Sequence, residues 1–267
     1  MSAAEYQSSS TTLPFTKASA CGNDFLIVEG KHASSELSAI SRRMCDRHNG
    51  VGADGVEWVF PDAVADVTAR LINADGSEAE VSGNGTRCVA AEICSRQNKK
   101  EVAVMTGAGL KSCRLVARRG STFEFEADMG VPGVGGELAI EAAGVVGTKV
   151  SMGNPHYVIF VESFPDSWQK QGALIGTQPQ FPQGTNVEYV VVRGSNEIEI
   201  RLFERGVGET LSSGTGSCAA AVAAVASGRV TSPVTVVAPG GPQVVRWENH
   251  VYLRGPATLV CRGEFFV

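Results

Sequence analysis

A run of nine residues, Cys218 to Ala226, consists only of cysteine, alanine and valine. It follows a glycine-rich segment, "LSSGTGS", and precedes Gly228, so the sequence predicts a helix from Ser217 to about Ser227. A helix without a polar face must be surrounded by protein on every side. We therefore expect a sheet that curls around this helix.

The same layout occurs earlier in the chain, in "VSGNGTRC" (Val81 to Cys88). The pattern predicts a second helix, from Thr86 to about Gln97, in which Cys88 to Cys94 is nearly as apolar, interrupted by Glu92. Ser82 and Ser213, which lead the two loops, lie 131 residues apart in a chain of 267 residues. This offset indicates an internal duplication of a whole domain.

Short alternating runs typical of half-buried strands fill most of the remaining sequence. They are residues 24–30, 56–60, 66–73, 101–107, 121–130, 156–162, 187–193, 196–203, 234–239 and 243–247. A third amphipathic helix is predicted within residues 35–48. We expect an α/β (α+β) fold of two pseudo-symmetric domains, each a curled, mostly antiparallel sheet around a central helix.

Composition excludes several classes of protein. The net charge of −5 argues against a nucleic-acid partner, and no apolar run approaches the ~20 residues of a membrane span. Residues 1–12 resemble a flexible tail and not a secretory signal, so we expect a cytoplasmic protein. The seven scattered cysteines include no C-x-x-C pair, which predicts neither a disulfide framework nor a zinc site.

The two loops are suited to binding an anion. Glycines expose the first backbone N–H groups of each helix, which have no partner inside the helix and which the helix dipole favours for a carboxylate. Ser82 and Ser213 would then approach the neighbouring carbon from opposite sides, an arrangement that suits racemisation or epimerisation. The simpler alternative is that both serines are ordinary helix N-caps.

Other polar segments offer amide, guanidinium and carboxylate groups for a small zwitterion. The residues are Asn23, Asp24, Asn73, Asp75, Asn154, His156, Asn186, Glu204 and Arg205. Each asparagine alone is more often a turn former than a ligand. No phosphate-binding or dinucleotide pattern is present, and no lysine indicates a pyridoxal Schiff base, so we predict chemistry without cofactor or metal.

From about Pro14 to Val267 the sequence resembles the diaminopimelate epimerases. The motifs that carry the resemblance occur in the family's order and spacing: "GNDF", "RHNGVGADG", "NADGSEAEVSGNGTRC", "MGNPHYV", "TNVEYV" and "ERGVGETLSSGTGSCAAA". Members of this family interconvert LL- and meso-diaminopimelate, a precursor of lysine and peptidoglycan. The resemblance therefore implies a diamino-dicarboxylate substrate bound in the cleft between two domains.

The resemblance also implies roles for individual residues. The backbone of Gly83, Asn84, Gly214 and Thr215 would hold the reacting α-carboxylate, with Glu204 and His156 close to the reacting centre. The residues implied for the distal end of the substrate are Asn23, Asn73, Asn154, Asn186 and Arg205.

It further implies that residues 256–267 return to a first domain formed by residues 13–129, with residues 130–255 as the second domain. The glycine- and proline-rich segment 128–136 is a suitable boundary. Members of the family commonly form homodimers.

One departure from the family concerns the proton carriers. The family has a catalytic cysteine at each of the positions that Ser82 and Ser213 occupy here. A free thiol has a pKa of about 8.5, which a helix N-terminus lowers, whereas an alcohol is a far weaker acid and needs an adjacent base. We expect this chain to be a weak or inactive epimerase.

Three explanations stay open. The serines replace cysteines in an otherwise intact epimerase; or the chain is an isomerase of another small acid that uses Glu204 or His156, as related phenazine-biosynthesis isomerases use a carboxylate; or it binds an amino acid without transforming it.

Overall fold

The computed structural model describes residues 12–30 and 36–267. The predicted tail, residues 1–12, lies outside this part of the chain except for Thr12, which begins the first strand. Within the described residues, no helix is both long enough and apolar enough to span a membrane. The α/β class and the curled sheets predicted from the sequence are confirmed.

The described residues of the first half form eight strands and two helices. Helix α1 spans Leu37–Cys45 and helix α2 spans Gly83–Gln97. The strands are β1 (Thr12–Ala20), β2 (Asn23–Glu29), β3 (Gly55–Phe60), β4 (Val67–Asn73), β5 (Glu78–Ala79), β6 (Glu101–Thr106), β7 (Gly109–Arg119) and β8 (Thr122–Asp128).

The second half forms nine strands, helix α3 (Trp168–Gly176) and helix α4 (Gly214–Ala226). A short 3₁₀ turn spans Glu141–Ala143. The strands are β9 (Gly133–Ile140), β10 (Val145–Ser151), β11 (Pro155–Phe160), β12 (Asn186–Gly194), β13 (Glu197–Glu204), β14 (Gly208–Thr210), β15 (Val234–Ala238), β16 (Gly241–Trp247) and β17 (Val251–Phe266).

The two halves repeat one order of strand pairings. Strand β2 lies parallel to β3, which lies antiparallel to β4; β11 lies parallel to β12, which lies antiparallel to β13. Each half encloses its own largely buried helix, α2 in one and α4 in the other. Residues Cys218–Ala224 of α4 are almost completely buried, as expected for a helix without a polar face.

Strand β17 connects the halves into one sheet. Its first residues pair with β16 and its middle pairs with β8, while its last part pairs with β1. This is the return to the first half that the resemblance implies. The predicted domain limits at residues 129/130 and 255/256 stay a prediction.

All ten runs predicted as strands overlap strands of the structure, whereas several other elements were not predicted. They are β1, β5, β7, β9, β10, β14 and α3. Strand β9 begins at Gly133, inside the segment predicted as a boundary, and most of it is exposed. Backbone pairing with β10 forms this strand without the buried side chains that give a strand its alternating pattern.

Candidate active site

Ser82 and Ser213 are the N-caps of α2 and α4. The Ser82 Oγ accepts a hydrogen bond from the Gly85 N–H at 3.1 Å, and the Ser213 Oγ accepts one from the Gly216 N–H at 3.3 Å. Both helices begin at a glycine three residues before the predicted start. The prediction was wrong here because a serine cap brings the following polar and glycine residues into the first helical turn.

Because both helices start earlier than predicted, backbone N–H donors remain at the N-terminus of α2 and at the N-terminus of α4. The N–H groups of Thr86 and Ser217 bond to the carbonyls of Ser82 and Ser213, which closes the first turn of each helix. The two residues after each serine, Gly83–Asn84 and Gly214–Thr215, have no intrahelical acceptor for their N–H groups. The dipole of each helix adds partial positive charge at the same place.

A hydrogen bond joins the two loops directly. The Asn84 Nδ2 donates to the Ser212 Oγ at 3.4 Å, so the start of α2 touches the residue before the cap of α4. Close backbone contact continues at Gly22, where a Cβ would lie 2.9 Å from the Cα of Gly240. The two serine-led loops therefore lie side by side where the halves meet.

Ser213 has a carboxylate partner. Its Oγ donates to the Glu204 Oε2 at 3.1 Å, and the other carboxylate oxygen accepts from the Thr210 Oγ1 at 2.7 Å. Glu204 is the last residue of β13, and Thr210 lies on the paired strand β14. The structure thus brings Glu204 to the second loop, and its place at a reacting centre stays a prediction.

His156 belongs to a buried network that reaches the same loop. Its Nδ1 lies 2.7 Å from the Glu188 Oε1, and its Nε2 lies 3.0 Å from the Asn154 Oδ1. The Asn154 Nδ2 donates to the Thr215 Oγ1 at 3.4 Å. Burial raises the pKa of the Glu188 carboxyl, although His156 opposes this shift. The Oε2 of Glu188 has no hydrogen-bond partner among the described residues.

Asn23 lies at the first loop. Its Oδ1 accepts from the Asn84 Nδ2 at 2.7 Å, and its Nδ2 donates to the Asp54 Oδ2 at 3.1 Å. Asp54 in turn forms an ion pair with Arg47 at 2.8 Å. Both ends of the Asn23 amide are therefore oriented by the protein.

The remaining residues implied for the distal end of the substrate divide into a pair and a separate residue. The Asn186 Oδ1 accepts from the Arg205 N–H at 2.9 Å, and the Arg205 Nη1 donates to the Gln183 carbonyl at 2.8 Å. Asn73 instead donates to the Ser77 Oγ within its own hairpin, at 3.0 Å. In the described part of the chain, no side-chain hydrogen bond joins Asn73 to another predicted site residue.

Sequence reasoning missed two buried carboxyl groups behind the helix ends. Glu57 on β3 and Glu188 on β12 are separated by the same 131 residues as the serines. The Glu57 Oε1 lies against Gly85, and the Glu188 Oε1 lies against Gly216. Each glycine stands three positions after a cap serine, and a Cβ on it would contact the carboxyl oxygen. Burial raises the pKa of Glu57 to about 8. The repeated strings "VEWV" and "VEYV" are a signal that could have identified both.

Comparison with known proteins adds independent evidence. The family model described as diaminopimelate epimerase matches residues 15–133 and 148–260. A diaminopimelate epimerase of Pelotomaculum thermopropionicum is 42% identical, with 94% of this chain and 98% of the relative covered. A diaminopimelate epimerase of Moorella thermoacetica is 39% identical over the same shares of the two chains.

A solved structure shares the fold. The phenazine biosynthesis protein of the PhzF family from Bacillus anthracis superposes with a TM-score of 0.74, covering 96% of this chain and 99% of that one. Its sequence is 15% identical, so this likeness concerns the fold alone.

Proposed function

The chain belongs to the diaminopimelate epimerase family, and we propose that it binds LL- and meso-diaminopimelate between the two serine-led loops. It is an epimerase-type enzyme that acts on a small molecule. The observation that carries the proposed site is the hydrogen bond from Asn84 to Ser212, because it brings two helix N-termini with free donors to one place.

The reacting α-carboxylate binds the N–H groups of Gly83, Asn84, Gly214 and Thr215. Ser82 and Ser213 then flank the α-carbon. Epimerisation requires one group to remove the α-proton from one face and another to deliver a proton to the opposite face. The distal ammonium and carboxylate groups are recognised by Asn23, Asn73, Asn154, Asn186 and Arg205, whose amide and guanidinium groups suit both charges.

Serine limits this reaction. A helix N-terminus stabilises a negative charge by only ~1 kcal/mol, or ~2 when partly buried. This is too little to generate an alkoxide from an alcohol near neutral pH, so the rate of the unaltered chain is low. The reaction as proposed involves no cofactor, no metal and no nucleic acid. We also propose that the protein is cytoplasmic and forms a homodimer.

The test compares two matched double variants with the unaltered protein. Each is incubated with LL-diaminopimelate in deuterated water, and deuterium at the α-carbon is measured by mass spectrometry. We expect Ser82→Cys/Ser213→Cys to incorporate deuterium at least ~100-fold faster than the unaltered chain. The control, Ser82→Cys/Ser212→Cys, carries the same number of thiols with one displaced by a residue, and should gain much less.

Three outcomes would contradict parts of the proposal. A normal enzymatic rate in the unaltered chain would show that serine is sufficient. Tight binding in calorimetry without exchange in the Ser82→Cys/Ser213→Cys variant would favour a binding protein without catalysis. Absence of diaminopimelate binding in every variant would refute the substrate.

The hydrogen bond between Ser213 and Glu204 supports a second candidate function. Glu204 is a carboxylate at the second loop and can itself carry a proton, as one acid–base group of an isomerase acting on another small acid. Screening the unaltered protein for proton exchange across amino acids and unsaturated acids separates this candidate from the first.

A further inference from the structure

Within the part of the chain that the structure describes, Arg87 is a buried cation without a counter-charge. It lies in the second turn of α2 with only 2% of its surface exposed, yet arginine is almost never buried without an anionic partner. Its guanidinium contacts the Asn84 Oδ1, the Pro256 carbonyl at 3.4 Å and the Cys21 Sγ at 3.7 Å. Burial raises the pKa of the Cys21 thiol, so all three partners are neutral near pH 7.

No carboxylate within residues 12–30 and 36–267 forms an ion pair with Arg87. The effective penalty for burying an uncompensated ion is several kcal/mol, even after relaxation. A buried arginine that carries this penalty, with no anionic partner among the described residues, is expected where an anionic ligand binds.

The guanidinium lies near the start of both helices. The Arg87 Cζ and the Gln243 Nε2 each lie 3.2 Å from the position that a Cβ of Gly255 would take, so both side chains pack at that glycine. The Gln243 Oε1 accepts from Ser217, in the first turns of α4, at 2.9 Å. The second half has no equivalent cation, since the residue 131 positions after Arg87 is Cys218.

Arg87 also determines which way two site amides face. A guanidinium only donates hydrogen bonds, so the Asn84 oxygen must face Arg87 and its Nδ2 must face Asn23. The Asn23 oxygen then accepts, and its Nδ2 donates to the Asp54 carboxylate. In this series of hydrogen bonds, each donor lies on the Arg87 side and each acceptor on the Asp54 side. Hydrogen bonds aligned in this way strengthen one another.

We propose that Arg87 is a positioning residue for the reacting α-carboxylate: its unpaired charge is balanced by that carboxylate, and its donors hold Asn84 in the binding orientation. The inference rests on the proposed function, which supplies the carboxylate. The inference goes beyond the proposed function because it assigns the positive potential of the site to the buried Arg87 side chain as well as to the helix N-termini.

Two variants remove the free charge in different ways. Arg87→Met removes the cation. Cys21→Asp keeps the Arg87 cation and places a carboxylate beside it. Residue 21 has a positive φ of 48°, which aspartate and asparagine tolerate. The matched control is Cys21→Asn, which has the shape of the aspartate variant without its charge. Because Cys21→Asp leaves Arg87 in place, the test does not depend on Arg87→Met folding.

Calorimetry measures binding of meso-diaminopimelate and of its monoamide at the reacting carboxyl. We expect Arg87→Met and Cys21→Asp to weaken diaminopimelate binding at least ~10-fold, a difference of ~1.4 kcal/mol, and to change monoamide binding less than ~3-fold. Arg87→Lys should recover most of the affinity for diaminopimelate. The proposal would be overturned if Arg87→Met and Cys21→Asp weakened the binding of diaminopimelate and of the monoamide equally, or if neither affinity changed.

A second probe separates failure of this inference from failure of the proposed function. Acetate should raise the melting temperature of the unaltered protein and of Cys21→Asn, and raise it less in Arg87→Met and Cys21→Asp. An acetate response of this kind without diaminopimelate binding would refute the substrate and support the role of Arg87. No acetate response in the unaltered protein, or the same response in all variants, would refute that role.

Discussion

Ser213 donates a hydrogen bond to the Glu204 carboxylate, with 3.1 Å between Oγ and Oε2, whereas the Ser82 hydroxyl interacts with the Gly85 backbone N–H of its own helix. The duplicated halves therefore differ in the hydrogen bonds of their cap serines. Asn73 takes the position that Glu204 has in the other half, 131 residues earlier. Asn73 donates to the Ser77 Oγ, so the two loops differ in the polar group that the paired strands place beside the cap serine.

Restoring one thiol should give proton exchange without epimerisation. In Ser82→Cys or Ser213→Cys alone, a single thiolate can remove an α-proton and return a deuteron to the same face, while the opposite face has only a hydroxyl. We expect epimerisation at least ~100-fold below that of the double variant, with measurable exchange. Chiral chromatography with mass spectrometry reports both quantities. Full epimerisation in either single variant would contradict a two-group mechanism.

Glu204→Gln tests the carboxylate at the second loop. If Glu204 carries a proton, any residual exchange in the unaltered chain should fall by ~100-fold or more, because an amide does not accept the proton. The control is Glu209→Gln on the neighbouring strand, an exposed residue. Residual exchange that survives in Glu204→Gln would leave the proton transfer to the serines or to His156.

Glu57→Gln should flatten the dependence of stability on pH. The pKa of Glu57 is about 8 in the folded protein, against an ordinary value of 4.5, so the folded state retains a proton that the unfolded chain releases. This contribution is complete below pH 4.5 and is lost as pH rises to about 8, with an upper limit on the order of 5 kcal/mol.

Relative to the unaltered protein, the Glu57→Gln variant should become more stable as pH rises from 5 to 9. Urea unfolding at a series of pH values measures this difference. Glu101→Gln, at an exposed position, should run parallel to the unaltered protein. If Glu57→Gln did the same, the carboxyl would not be protonated in the folded state.

His156→Phe should destabilise the protein through Glu188. Phenylalanine is the residue at the equivalent position of the first half, Phe25, so its size is compatible with this fold. Without His156, the buried Glu188 loses its partner, and we expect a loss of ~3 kcal/mol of unfolding free energy near neutral pH. Adding Glu188→Gln should recover part of this loss. A double-mutant cycle by urea unfolding measures the coupling, and additive effects would rule out the pair.

Sequence reasoning was most successful where burial leaves a clear pattern. The apolar composition of Cys218–Ala226 required an enclosing sheet, and the structure provides one. Strands with few buried side chains, such as β7 and β9, gave no alternating pattern and were not predicted. Helix α3 was missed as well, in a segment for which no prediction was made.

The site was only partly predictable for a related reason. Ser82, Ser213 and the asparagines stand in short motifs that can be recognised along the chain. Arg87 also stands in such a motif, but its importance comes from being buried with no anionic partner among the described residues, which depends on the whole fold. Glu57 and Glu188 lie within strands, and only the repeated spacing marks them as a pair.

Strand β17 has a consequence for how this protein is made. A ribosome synthesises β1 to β8 long before Val251–Phe266, yet β1 and β8 both pair with that last strand. The nascent first half therefore has unpaired strand edges until translation has passed the second half. Such edges readily pair with other chains, so we expect cellular chaperones to bind this polypeptide mainly during that interval.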